Sequence, residues 1–188
     1  MKQLLLLFIP ILSYAQTTPK RATVGPTIAS KDDVALANAP KLPMKGASVF
    51  YEFVDSSFKK EKLDVYKAAK IWFADAFKNS KSVLQVDDKD LGELLGKGTF
   101  KYTFTYGGND RTYWCQFTAK ISCRKNKYRL QIYDIGTRQE DDPDYTIIED
   151  LVGSTDPLNQ EILRRIDARI TAIIKESRNA IAQQSDNF

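Results

Sequence analysis

Apolar positions along the chain recur at helical spacing in some stretches and at every second residue in others. From Lys60 to Lys78, Leu63, Tyr66, Ala69, Phe73 and Phe77 fall three or four apart, with Trp72 and Ala76 beside them, which predicts an amphipathic helix. Lys59, Lys60, Lys62, Lys67 and Lys70 form its opposite, solvated face, and Asn79-Ser80 ends it. The period then drops to two. Ser82 to Val86 is extended, Asp87 to Asp90 is an acidic turn, and Gly98 to Tyr106 alternates. Phe100, Tyr102, Phe104 and Tyr106 share one side of that strand, with Thr99, Lys101, Thr103 and Thr105 on the other.

The alternation continues on both flanks. Gly46 opens a first strand with Val49, Tyr51 and Phe53 on one face and Phe50, Glu52 and Val54 on the other. Gly107-Gly108-Asn109-Asp110 predicts a hairpin turn. Arg111 to Arg124 then directs Tyr113, Cys115, Phe117, Ala119, Ile121 and Cys123 inward, and Trp114, Gln116, Thr118, Lys120 and Ser122 outward. After a turn at Lys125 to Lys127, Tyr128, Leu130 and Ile132 continue the apolar side, and Arg129, Gln131 and Tyr133 the polar one. Strands that agree on one oily and one hydrophilic side form a meander covered on a single face.

The last helix has a sharp start, with Asp156 as cap and Pro157 at the first helical position. Leu158, Ile162, Leu163, Ile166, Ile170, Ile173, Ile174 and Ile181 make one long stripe. Arg164, Arg165, Arg169, Lys175 and Arg178 lie opposite, and Glu161–Arg165 is an i,i+4 pair. Such a basic amphipathic helix could rest on a membrane, but the oily side of the sheet needs covering, and core packing is the expected use. The tail from Gln183 is polar and is expected to fray.

Residues 1–15 read as a signal peptide: Lys2 is a short positive region, Gln3 to Leu12 is apolar, and Ser13-Tyr14-Ala15 offers small residues for cleavage. The apolar run is too short to span a membrane, which takes about 20 residues. Residues 16–45, punctuated by Pro19, Pro26, Pro40 and Pro43, read as linker-like or disordered, and 46–183 as a single domain. The expected product is exported, periplasmic or extracellular, with no transmembrane anchor.

Charge and chemistry narrow the function mainly by exclusion. The 28 basic and 24 acidic residues are well mixed, giving a formal +4 and no electrostatic case for nucleic acid. Histidine is absent, which removes the commonest general base and the commonest zinc ligand. Cys115 and Cys123 lie on one strand, about 26 Å apart, beyond disulfide reach, and read as small buried hydrophobes. Gly92 to Thr99 resembles a phosphate loop only superficially: three residues, not four, precede Gly96-Lys97, and a strand follows. A bulged or bent strand start is expected there instead. The acidic loop from Arg138 to Asp150 holds Glu140, Asp141, Asp142, Asp144, Glu149 and Asp150 without the alternating oxygen spacing of a calcium loop, so a plain surface loop is expected. No catalytic residue, metal ligand or cofactor emerges.

The stretches Lys70-Ile71-Trp72-Phe73, Phe77 to Lys89 and Gly92-Glu93-Leu94-Leu95-Gly96-Lys97-Gly98, in the order strand, helix, four strands, helix, resemble the domain of unknown function 4468 family of exported Bacteroidetes proteins. The resemblance spans about Leu42 to Ile135. It implies an α+β, TATA-binding-protein-like (TBP-like) fold of order β-α-β-β-β-β-α, a curved antiparallel sheet with two helices on one face. It supplies no activity and no catalytic residues. The helix-free face carries mainly Thr, Gln and Ser where a DNA-binding saddle presents apolar wedges, and fold analogy alone is weak warrant.

These features predict a non-catalytic binding or structural module. Its open sheet face, with Lys101, Thr103, Trp114, Gln116, Thr118, Arg129, Gln131 and Tyr133, would meet a protein, peptide or glycan. A second expectation, of another class, is a hydrolase or lyase working through paired carboxylates such as Asp141 and Asp144. A third is a homo-oligomer formed through sheet edges or the open face.

Overall fold

The structure, a computed structural model, describes residues 39–77 and 84–183. The expected signal peptide, most of the linker, the end of the first helix at Asn79-Ser80, Ser82-Val83 and the tail beyond Gln183 lie outside those residues. The order is β1 (Met44–Lys45), β2 (Ser48–Val49), β3 (Tyr51–Asp55), α1 (Lys62–Ala76), β4 (Leu84–Asp88), β5 (Glu93–Tyr106), β6 (Asn109–Arg124), β7 (Lys127–Gln139), β8 (Thr146–Ile147), a 3-10 turn (Ile148–Leu151) and α2 (Pro157–Gln183). The main sheet runs β3-β7-β6-β5-β4 with every pairing antiparallel, and β8 adds to β7 beyond the end of β3. Met44–Lys45, within the stretch expected to be linker, pairs with Ser48–Val49.

Both helices cover the apolar face. Phe77, after α1, packs its ring 5.7 Å from Phe117 on β6. From α2, Ser177 meets the Tyr128 hydroxyl at 3.2 Å, and Asp167 accepts a bond from Tyr51 at 2.8 Å. Inward residues of β5, β6 and β7 therefore join the isoleucine stripe of α2 in one core. Ile166, Ile170 and Ile181 are fully buried, so the stripe is used within the fold. The Asp156 carboxylate accepts the Leu158 N–H at 2.9 Å, the N-terminal cap the sequence signals.

Several expectations are corrected. Leu63, the first residue of the stripe expected on α1, is 37% exposed, and Val65 and Ala68 take part in the buried side instead; the rest of that stripe, Tyr66, Ala69, Phe73 and Phe77 with Trp72 beside it, is buried as expected. Lys60 does not belong to a solvated face, because its ammonium donates to the Ile181 and Ala182 carbonyls at 2.6 and 2.9 Å, near the end of α2. Asp87 is no plain turn residue: it lies within β4 and accepts bonds from Tyr66 and, at 2.5 Å, from Lys70. Those two bonds, Lys70 first, hold its carboxyl below the usual range. No bulge interrupts the start of β5, whose register with β6 is unbroken; the irregularities fall in β4 and β7. The acidic loop is shorter than its composition suggests, because β7 extends to Gln139 and Thr146–Ile147 returns to pair with it. Arg138 pins the intervening turn through the Glu140 and Asp142 carbonyls, at 2.8 and 2.6 Å.

Asp55 ends β3 almost fully buried. Burial raises the pKa of its carboxyl, but the Ser57 hydroxyl and N–H, at 2.6 and 2.8 Å, and the Arg178 guanidinium, at 3.4 Å, outweigh it and hold the value below 3.8. A lowered folded-state value means a stabilisation present above about pH 4 and lost as the pH falls through that value. Asp55→Asn is expected to cost about 1–2 kcal/mol at pH 7. In urea titrations the gap to the unaltered protein should shrink at pH 3. An equal gap at both values would show that the charge contributes nothing.

Candidate functional site

The helix-free face is not uniformly open. A concavity of about 840 Å³ lies over β6 and β7, where the chain makes a bulge. Gln116 pairs with Gly136 and Thr118 with Tyr133, so Asp134 and Ile135 together oppose Phe117. Asp134 takes a positive φ of 51° there. The bulge drops the outer surface: Thr118 and Gly136 are small, and a side chain at Gly136 would come within 3.3 Å of the Tyr145 Cβ.

Segments flanking the sheet raise the walls. On one side Phe50, just before β3, stacks its ring 5.8 Å from that of Tyr133 on β7, at 22°, and Lys45 of β1 sits 4.7 Å above Phe50. Tyr145 and Ile147 form the other side, with the Arg138 guanidinium 5.3 Å from the Tyr145 ring. Glu149 ties the two walls together by accepting the Val49 N–H at 2.7 Å. The lining is thus aromatic on its sides and polar on its floor, where Gln116 and Thr118 face outward and Thr118 donates to Asp134 at 3.2 Å. Lys45 and Lys97 are balanced by Asp134 and Glu149.

Of the eight residues expected on a binding face, Gln116, Thr118 and Tyr133 line this groove. The other five lie elsewhere on the same face, engaged with neighbours. Gln131 donates to Glu52 at 2.7 Å, and Arg129 lies 3.9 Å from the same carboxylate. Lys101 pairs with Glu140 and lies 5.6 Å from the Trp114 ring, while Thr103 bonds Thr112 at 3.0 Å. Lys45, Phe50, Lys97, Tyr145 and Glu149 were not expected at the site. Phe50 had a sequence signal in its outward position on the first strand, and Lys97 in its phase with Thr99 and Lys101 along β5; the others arrive through folding of flanking chain over the sheet.

Asp141 and Asp144 are both exposed, and neither lines the groove. Burial pushes both thiols up, Cys123 to about 12, so neither is a thiolate at neutral pH. Among the described residues no group of three or more potential ligands could hold a metal ion, and no helix is long and apolar enough to cross a membrane.

A curved antiparallel sheet backed by two helices on one face defines this as a TBP-like α+β protein. Two solved structures share the arrangement. One is a TBP-like protein from Parabacteroides distasonis ATCC 8503, 17% identical with a TM-score of 0.55, the match covering 73% of this chain and 97% of that one. The other is a DUF4468 family protein from Bacteroides ovatus ATCC 8483, 11% identical with a TM-score of 0.61, covering 80% and 94%. Residues 50–138 match the family model described as "Domain of unknown function (DUF4468) with TBP-like fold". No curated protein matches the sequence.

Proposed function

We propose that this is an exported, non-catalytic module that holds a short glycan in the groove on its helix-free face. The observation that carries the reading is the lining itself: Tyr133 stacked on Phe50, Tyr145 opposite, and Gln116 and Thr118 between them on the floor. Aromatic rings beside a few fixed polar groups suit a ligand with alternating apolar patches and hydroxyls. A peptide strand needs backbone partners, which a sheet offers along its edge and not on its face. The walls at Lys45, Phe50 and Tyr145 give the groove two sides, and the near balance of charge in its lining favours a ligand with little net charge.

The test is calorimetric titration of the protein with a panel of neutral and acidic oligosaccharides. Tyr133→Ala is expected to weaken the best ligand about tenfold, a loss of about 1.4 kcal/mol. Gln116→Ala should weaken it severalfold, and Trp114→Ala, outside the groove, should leave it unchanged. If no oligosaccharide binds, or if Trp114→Ala matters and Tyr133→Ala does not, the groove is not a glycan site.

A further inference from the structure

β5 is paired with β6 along its whole length, from Glu93 to Tyr106. Its other edge meets β4 only from Glu93 to Gly96, so from Thr99 to Tyr106 no strand lies beside it among the described residues. One bond shows which backbone groups face that free edge. Thr112, opposite Thr103, gives its carbonyl to the Glu140 N–H at 2.9 Å, away from β5. The Thr103–Thr112 pair is therefore the non-bonded kind, and the Thr103 backbone groups point to the free edge. By alternation those of Thr99, Lys101 and Thr105 do the same, presenting a row of donors and acceptors to that edge.

Edges that stay alone in native sheets are short, bulged, or guarded by proline or charge. This one has no proline, its register is unbroken, and its one charge, Lys101, is paired with Glu140. The inward side chains Phe100 and Tyr102 stay half-buried although their rings reach Phe117 and Tyr113, so an added strand would cover apolar surface as well as make bonds. The sequence identifies the strand that fits. Thr99-Phe100-Lys101-Tyr102-Thr103-Phe104-Thr105 reads the same in both directions apart from Lys101 and Thr103.

We propose that two copies of this chain join by their β5 edges, antiparallel, about a two-fold axis at Tyr102. In that register Thr99 faces Thr105 of the second copy, Phe100 faces Phe104, Lys101 faces Thr103 and Tyr102 faces its own counterpart. Threonines meet threonines outside, aromatic rings meet aromatic rings inside, and no like charges stand opposite. Four residue pairs exchange both backbone bonds, about eight in all. An axis at Lys101 would instead place the two lysines face to face. The interface is isologous and therefore closes at two copies, and it leaves the groove over β6 and β7 clear.

Sedimentation velocity across a concentration series tests the pairing, with Thr103 as the probe. Thr103→Lys sets a second lysine against Lys101 at both ends of the interface and should weaken the dimer more than tenfold. Thr103→Glu sets a carboxylate there and should leave it as tight or tighter. Amide exchange on the unaltered protein gives a reading free of any folding effect: Thr99, Lys101, Thr103 and Thr105 should gain protection as concentration rises. A monomer at every concentration, the same response to both substitutions, or no change in protection at those four amides would overturn the proposal.

Discussion

Gly98→Val is expected to destabilise the protein by about 3 kcal/mol, the upper part of the range for overpacking a core. A Cβ at this position would stand 2.5 Å from the Phe117 Cζ and 2.6 Å from the Phe77 Cε1, closer than carbon atoms approach. Neither ring can simply swing away. Phe117 is 2% exposed, and its ring also lies 6.0 Å from that of Phe100. Phe77 is held 4.5 Å from Phe73 and 5.9 Å from Trp72. The first helix would have to lift from the sheet, or the rings leave their rotamers. Urea unfolding measures the cost, and a midpoint within error of the unaltered protein would show that the space above Gly98 is looser than these distances imply.

Phe117→Ala should be at least as damaging, by about 3–5 kcal/mol, because it removes a fully packed ring and leaves a cavity between α1 and the sheet. The two changes should not add. With the Phe117 ring gone, a valine at 98 enters the vacated space and meets only the Phe77 contact, so Gly98→Val should cost much less in the Phe117→Ala background. A coupling of about 1–3 kcal/mol in the double-mutant cycle is expected for groups in direct contact. Strict additivity would mean that Gly98 is constrained by its backbone and not by the ring above it.

The element order and the sidedness of the strands were legible in the sequence. Alternation from Gly98 to Tyr106 and from Arg111 to Ile132 assigns every residue to a face, because a strand has a period of two and only one side of this sheet is oily. The Asp156-Pro157 start and the isoleucine stripe of α2 were equally plain. The first turn of α1 was harder to read. Val65 and Ala68, near Leu63 in sequence, serve the buried face as well as Leu63 could, and the choice between overlapping stripes depends on where the helix meets the sheet. Lys60 and Asp87 were misread for a related reason. Their partners, the end of α2 and the residues Tyr66 and Lys70, are brought to them only by packing.

The groove divides in the same way. Gln116, Thr118 and Tyr133 could be placed on the outer face from alternation alone. Its walls could not, since Lys45 and Tyr145 lie far apart in the chain and converge only because β1–β2 and β8 return to the end of β7 and its surroundings. The bulge that sinks the floor left a trace that was not read: the alternation placing Tyr128, Leu130 and Ile132 inward would send Asp134 inward and Ile135 outward, a break in phase that the pairing with β6 resolves.

By itself, then, the sequence determined which residues turn toward oil and which toward water, in what order helices and strands appear, and that histidine is absent. Local periodicity and side-chain chemistry carry that information without any knowledge of partners. Folding decided the rest: which residues of the first turn of α1 are buried, the clearance above Gly98, the groove between two returning segments, and the stretch of β5 with no strand beside it among the described residues. Each depends on where residues distant in sequence come to lie, and no local pattern encodes that distance.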